Sequence, residues 1–465
     1  MLDPTLRRTL MKILGKSRVR TRPHELSLYA YDASLDRGLP DAVVFPESTD
    51  EVEQIVRLAG KSRTPFAPRG SGTNLSGGSV LAAGGIVIEL ARMDRILSID
   101  AENLRAVVQP GVYNLDLQNA LAPVGLFYAP DPASQKVSTL GGNVGENSGG
   151  PHGVKYGVTS NHVLALEVVL ADGERARLGG ATFEQPPLDL VGVFVGSEGT
   201  LGIATEITLR VIPLPEDVRT MLAVFDSIRD ASSAVARIFA ARIVPATLEM
   251  MDQPVIRAVE ESLACGYPVD AAAVLIIEID GPKPALEETA RTIIRILQQS
   301  DVRDVRLAQT ADERETLWAG RRGAFGAIAR IAPNYLVLDG TVPRTRLPEM
   351  LEAVHEIGRR HELLTGNVFH AGDGNLHPLF LFDDRVSGTV ERVRRAGMEV
   401  LQACVRAGGT ISGEHGIGME KMDAMRLLFS DDDLFAMSLV KKAFDPHAIA
   451  NPGKVIPAPQ ETAAS

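Results

Sequence analysis

Residues 130–157 read "PDPASQKVSTLGGNVGENSGGPHGVKYG", a stretch with almost no strand-forming run, rich in glycine, serine and asparagine, and too long for an ordinary connection. Segments of this kind are functional or disordered, and Val137, Leu140 and Val144 favour an ordered one. A second segment, "PRGSGTNLSGGSV" at 68–80, is denser still in glycine. Gly70, Gly72 and Gly77 miss the G-x-G-x-x-G spacing of a nicotinamide-binding turn, and Gly78 stands where a Walker lysine would. Its glycines can still turn successive backbone N–H groups inward as an anion nest, with Ser71, Thr73, Asn74 and Ser76 adding donors. A third, "GSEGTLGI" at 196–203, repeats the chemistry before a strand. Three backbone-donor segments in one domain suit a long cofactor with phosphates and a flat ring better than a small ligand.

At 465 residues the chain exceeds one ordinary core, so two or three domains are expected. Hydrophobic and charged contents of 45% and 23% are those of a globular protein. A net charge of −11 without a basic stripe argues against nucleic acid as a partner. The two cysteines, Cys265 and Cys404, lie in separate apolar surroundings, which disfavours a disulfide framework or a Cys-based zinc site and makes a reducing, cytoplasmic compartment the default. The start has basic residues but no signal-peptide core, and reads as an amphipathic helix. No apolar run is long enough to span a membrane, so any membrane association would come through a partner.

From about Pro40, β-like runs ("AVVFP", "TPFAPRG", "GIVIEL", "RAVVQPG") alternate with "STDEVEQIVRLAGKS", a helix that Ser48 or Thr49 caps and whose Val52, Ile55, Val56 and Ala59 share a face. "HVLALEVVLADGERARL" reads as two strands joined at Asp-Gly, and Pro213 and Pro215 mark a boundary. Beyond it, strand and helix alternate through "AAVLIIEIDG" and "PALEETARTIIRILQQS", suggesting a split βαβ, ferredoxin-like unit.

In "TGNVFHAGDGNLHP" at 365–378, Gly372, Gly374 and Asn375 disfavour a helix, so the expectation is strand, turn and returning strand, with His370 and His377 facing each other across the turn. Two converging imidazoles are half of a metal site; the alternative is two turn-flanking histidines bonded to backbone.

"PRGSGTNLSGG", the 130–157 segment, "GSEGTLGI", "NVFHAGDGNLHP", "SGEHGIG" and "NPGKVIP" occur in this order. Together they resemble the FAD-linked 2-hydroxy-acid dehydrogenases of the vanillyl-alcohol-oxidase flavoproteins. The likeness is strongest to the glycolate oxidase D-subunit branch and weaker to D-lactate and D-2-hydroxyglutarate dehydrogenases. It runs from about Pro40 to Pro457. The resemblance implies an α+β protein: an N-terminal helical segment (1–39), a two-subdomain FAD-binding domain (40–215), a ferredoxin-like substrate or cap domain with a C-terminal helical region (216–456), and a flexible tail (457–465).

It implies that Arg69, Gly70, Ser71, Gly72, Thr73, Asn74, Gly77 and Gly78 cradle the FAD pyrophosphate. Pro130, Ser134, Thr139, Gly141, Gly142, Asn143, Asn147, Ser148, Gly149, Gly150, His152, Tyr156 and Gly157 would line the rest of the cofactor. Glu198, Gly199, Gly202, Ile203 and Asn451 would join them. Some superfamily members bond FAD to a histidine of the first loop; Thr73 and Asn74 stand there here, so the flavin is expected to be non-covalent. His152, in the second loop, is read as a flavin-contacting or structural residue.

The resemblance also supplies the third metal ligand, making His370, His377 and Glu414 the set for a divalent Zn, Mn or Fe ion. His415, next to Glu414, becomes the expected general base, kept neutral by the nearby cation. Arg321 and Arg322 offer a guanidinium fork for the substrate carboxylate, the relatives favouring Arg321, with a solvated helix pair as the competing reading for Arg322. Where the hydroxyglutarate enzymes carry a lysine, this chain has Val337, which disfavours a dicarboxylate.

The implied reaction is oxidation of a small 2-hydroxy acid, glycolate ahead of D-lactate, to the 2-oxo acid by hydride transfer to flavin. The implied partners are a second flavin subunit and an iron–sulfur subunit, since this chain has too few cysteines for a cluster. An inactive flavin-binding scaffold and a metal-dependent hydrolase are the readings from other classes.

Overall fold

A computed structural model describes residues 2–182 and 188–458; the expected tail beyond residue 458 lies outside the described residues. The chain divides into two compact units, one of Met1–Gly149, Gly157–Leu214 and Glu414–Ser465, the other of Gly150–Tyr156 and Pro215–Gly413. The prolines at 213 and 215 flank the main crossing. Two segments differ from the boundaries expected from sequence. Residues 414 onward return to the first unit, because Phe66 donates to the Ile449 carbonyl and Asn451 to that of Phe66, adding the late chain to an early strand. Residues 150–156 leave the first unit for the second.

The first unit holds two sheets with separate cores. In one, Ala42–Val44, Ile86–Glu89 and Phe66–Arg69 run parallel, with Val19–Arg20 antiparallel at the edge. The helix Thr49–Ser62, capped by Ser48, makes the crossover and buries Val52, Ile55, Val56 and Ala59. The amphipathic helix Pro4–Leu14 adds Leu6, Leu10 and Leu14, spaced four apart, to this core. Full burial of side chains such as Leu10, Ile55 and Phe66 contributes about 1.5–3 kcal/mol each.

The other sheet is antiparallel, ordered Ile96–Asp100, Arg105–Val108, Ile203–Arg210, Val163–Val169, Arg175–Gly179, over a core that includes Leu140 and Val144. Those two residues anchor the long glycine-rich segment, while Val137, expected to do the same, is 50% exposed and outside this core.

The second unit is built on a seven-stranded antiparallel sheet ordered Asp304–Leu307, Asp217–Phe225, Ala273–Gly281, Thr247–Asp252, Leu364–Phe369, Pro378–Phe382, Asn334–Val337. The first four strands have the ferredoxin-like order, with the helix Gln253–Leu263 where a tight hairpin would join the middle pair. The remaining three extend the sheet and carry the histidine turn. The whole is a two-domain α+β fold.

Candidate functional site

In the first unit the glycine-rich loops are held by their own side chains. Asn74 accepts from the Gly78 N–H at 3.1 Å and donates to Glu146 at 2.7 Å, closing the first loop against the helix Leu140–Glu146. Gly72 sits at φ +67°, and a Cβ there would lie 2.0 Å from the Arg69 guanidinium. At Gly70 a Cβ would lie 2.2 Å from the Thr139 hydroxyl, so the two loops approach as closely as backbone allows. Asn451 donates to the carbonyls of both Gly78 and Glu198, joining the first and third loops.

Some expected cofactor contacts are engaged inside the protein. Arg69 is buried, bonds Ser79 and lies 3.8 Å from Glu89, whose carboxyl burial pushes up to about 8 against the pull of that arginine. Glu198 accepts from the N–H groups of Ile417 and Gly418 at 2.7 and 3.0 Å. Burial, with Glu198 next, drives Glu146 well above the ordinary carboxylate range.

Other atoms in the same loops have no protein partner among the described residues. The Ser138 and Ser197 hydroxyls, the Asn143 amide nitrogen and the Asn451 amide oxygen are buried and unsatisfied. Buried polar groups without partners are costly, and a bound polar cofactor would satisfy them. Together with the close approach of the first two loops at Gly70 and the left-handed backbone at Gly72, they fit a dinucleotide. His152 and Tyr156 lie in the second unit, where His152 is 3.7 Å from Glu278 and Tyr156 donates to Asp280. Burial alone would raise Glu278, but His152, Arg314 and Thr220 outweigh it and hold it at about 2.

In the second unit the histidine turn forms as strand, turn and strand, with Asn367 paired to Pro378. His370 and His377 are 5% and 2% exposed, with ring centroids 5.1 Å apart and planes at 81°. His370 Nδ1 is 2.8 Å from Glu249, and Arg321 reaches the other oxygen of that carboxylate from the helix Ala311–Ile328 at 2.7 Å. Burial would raise the Glu249 carboxyl, but the charges of His370 and Arg321 leave it below its ordinary value. His377 Nε2 is 3.5 Å from Asp339, which also accepts from Ser412 and Gly413. Two converging imidazoles, each with a carboxylate nearby, are a donor set that suits a divalent cation once deprotonated.

The structure thus joins His370 and Arg321 through Glu249 and sets His377 against His370 ring to ring. It does not bring in Arg322, which sits in an exposed pair with Glu315, the solvated arrangement weighed against its catalytic role. Glu414 and His415 belong to the first unit, with His415 Nε2 4.0 Å from Glu414. Val337 lies in the apolar core with Trp318 and Leu379. Glu249 and Asp339 were missed from the sequence because neither lies in a recognised ligand motif. The available signal for Glu249 was a lone carboxylate in the otherwise apolar "TLEMM".

Residues 40–179 match the family described as FAD binding domain, and residues 214–455 match FAD linked oxidases, C-terminal domain. The chain belongs to the FAD-linked oxidases of the vanillyl-alcohol-oxidase type and is an FAD-linked oxidoreductase. It is 46% identical over 421 residues to glycolate oxidase subunit GlcD of Escherichia coli (strain K12), covering 90% of this chain and 84% of that one. It is 34% identical over 428 residues to D-lactate dehydrogenase of Anaerostipes hadrus, covering 90% of each. Its backbone superposes on p-cresol methylhydroxylase with a TM-score of 0.82 at 15% identity, covering 97% and 96% of the two chains, a likeness of fold alone.

Proposed function

We propose that this chain oxidises a short 2-hydroxy acid, glycolate ahead of D-lactate, to the 2-oxo acid. The observation that carries the reading is the identity to glycolate oxidase subunit GlcD, well above that to D-lactate dehydrogenase, across nearly the whole chain. The FAD is non-covalent, held by the loops around Gly72, Asn143 and Ser197. His370 and His377, with Glu414 carried over from its motif, hold a divalent cation. A bound flavin would supply a two-electron hydride acceptor, and a bound cation a Lewis acid worth several kcal/mol to an oxyanion at the hydroxyl. Arg321 anchors the substrate carboxylate, and His415 takes the hydroxyl proton. D-lactate is the second reading, since one methyl changes binding by only about 1–3 kcal/mol.

The chain acts with partner subunits, a second flavoprotein and an iron–sulfur protein, in the cytoplasm or at a membrane reached through them. The similar glycolate oxidase protein GlcD is itself called a subunit. Among the described residues no helix is long and apolar enough to cross a membrane.

A panel of 2-hydroxy acids assayed with an artificial dye acceptor, with and without chelator, tests the reading. Turnover should be highest with glycolate and should fall when the cation is removed. Preference for a dicarboxylic hydroxy acid, or chelator-insensitive turnover, would contradict it. Acid precipitation should also leave the flavin in the supernatant as FAD, because no histidine stands in the first loop; yellow colour in the washed pellet would overturn the non-covalent assignment.

A further inference from the structure

Strand pairing places Met250 opposite Phe369 and Met251 opposite Val368. One step further along this register Glu249 stands opposite His370. The Glu249 side chain is 1% exposed and its two oxygens are divided between two partners. One lies 2.8 Å from His370 Nδ1; the other accepts from Arg321 Nε at 2.7 Å and lies 2.6 Å from Nη2. A carboxylate buried in this way is stable only while both cationic or donor partners stay in place.

We propose that Glu249 is a positioning residue that couples the metal ligand His370 to the substrate-anchoring Arg321, an inference that rests on the metal and anchor roles proposed above. The bond at Nδ1 fixes the ring's tautomer and orientation, assigns coordination to Nε2 and strengthens that nitrogen as a donor. The bonds to Nε and Nη2 commit one edge of the guanidinium. The substrate carboxylate is thereby assigned to the other edge, Nη1 with the second Nη2 hydrogen. One rigid carboxylate on a central strand thus sets the angle at which the cation and the arginine address the same substrate. A purely structural Glu249 would satisfy the same two partners but would leave cation affinity unchanged once the protein folded.

The test uses flavin-loaded, metal-stripped protein titrated calorimetrically with Zn²⁺ and Mn²⁺, a readout independent of turnover. Glu249→Gln should weaken cation affinity by about 10- to 100-fold, raise KM for the hydroxy acid and leave flavin content unchanged. Glu249→Asp, which keeps the charge but withdraws it by one methylene, should show the same direction, and it carries the test if the glutamine variant does not load flavin. Wild-type cation affinity in either folded variant, while His370→Ala binds none, would overturn the coupling and leave the metal assignment standing. If the parent protein binds no divalent cation, or His370→Ala binds as well as the parent, the metal assignment fails and the coupling with it.

Discussion

Replacing His377 with alanine is expected to strip the divalent cation from the protein and leave it yellow. The imidazole is 2% exposed, its centroid is 5.1 Å from that of His370, and Asp339 stands 3.5 Å from its Nε2. Alanine removes one of the two nitrogen donors and leaves the buried Asp339 carboxylate beside a void. If the cation supplies several kcal/mol of charge stabilisation, turnover should fall on the order of 10²- to 10⁴-fold. The glycine-rich loops belong to the other unit, so flavin content should be unchanged. His370→Ala should behave alike, and Glu414→Gln, a near-isosteric change within the unit that holds the loops, should lose the cation and most activity while keeping flavin. Metal analysis beside the flavin absorbance decides it: full metal occupancy with full activity in any of the three would remove that residue from the ligand set.

His415→Asn should separate proton removal from metal binding. The variant should keep both cation and flavin and still bind substrate, while its flavin is reduced about 10²- to 10⁴-fold more slowly, the loss typical of a missing general base. Asparagine retains hydrogen-bonding groups near Glu414 and cannot take a proton at neutral pH. Stopped-flow traces across a pH series read the effect directly. Reduction at nearly the parent rate with an unchanged pH profile would leave His415 as a neighbour of Glu414 and place the base elsewhere.

The parts of this account legible in the sequence are those written locally. Ser48 and the four-residue face behind it specify a helix with its cap. Gly372, Gly374 and Asn375 specify a turn that brings His370 and His377 together, because backbone preference and hairpin register act within a dozen residues. Glu249 could not be found that way: its partners lie 72 and 121 residues further along, and only the pairing of non-sequential strands brings them to it. The same holds for residues 414 onward, which return to the first unit through backbone bonds at Phe66 that leave no mark in their composition. Arg321 and Arg322 are adjacent in the chain yet point to a buried carboxylate and to solvent, a difference set by which helix face meets the sheet.

The most direct test of the central claim is anaerobic mixing of the flavin-loaded protein with excess glycolate while the oxidised flavin absorbance is followed. Bleaching is expected in one turnover, with one equivalent of the 2-oxo acid formed per flavin, and slower bleaching when the α-hydrogens are replaced by deuterium. Flavin that stays oxidised with glycolate and with every other short 2-hydroxy acid, in protein holding both flavin and cation, would contradict it.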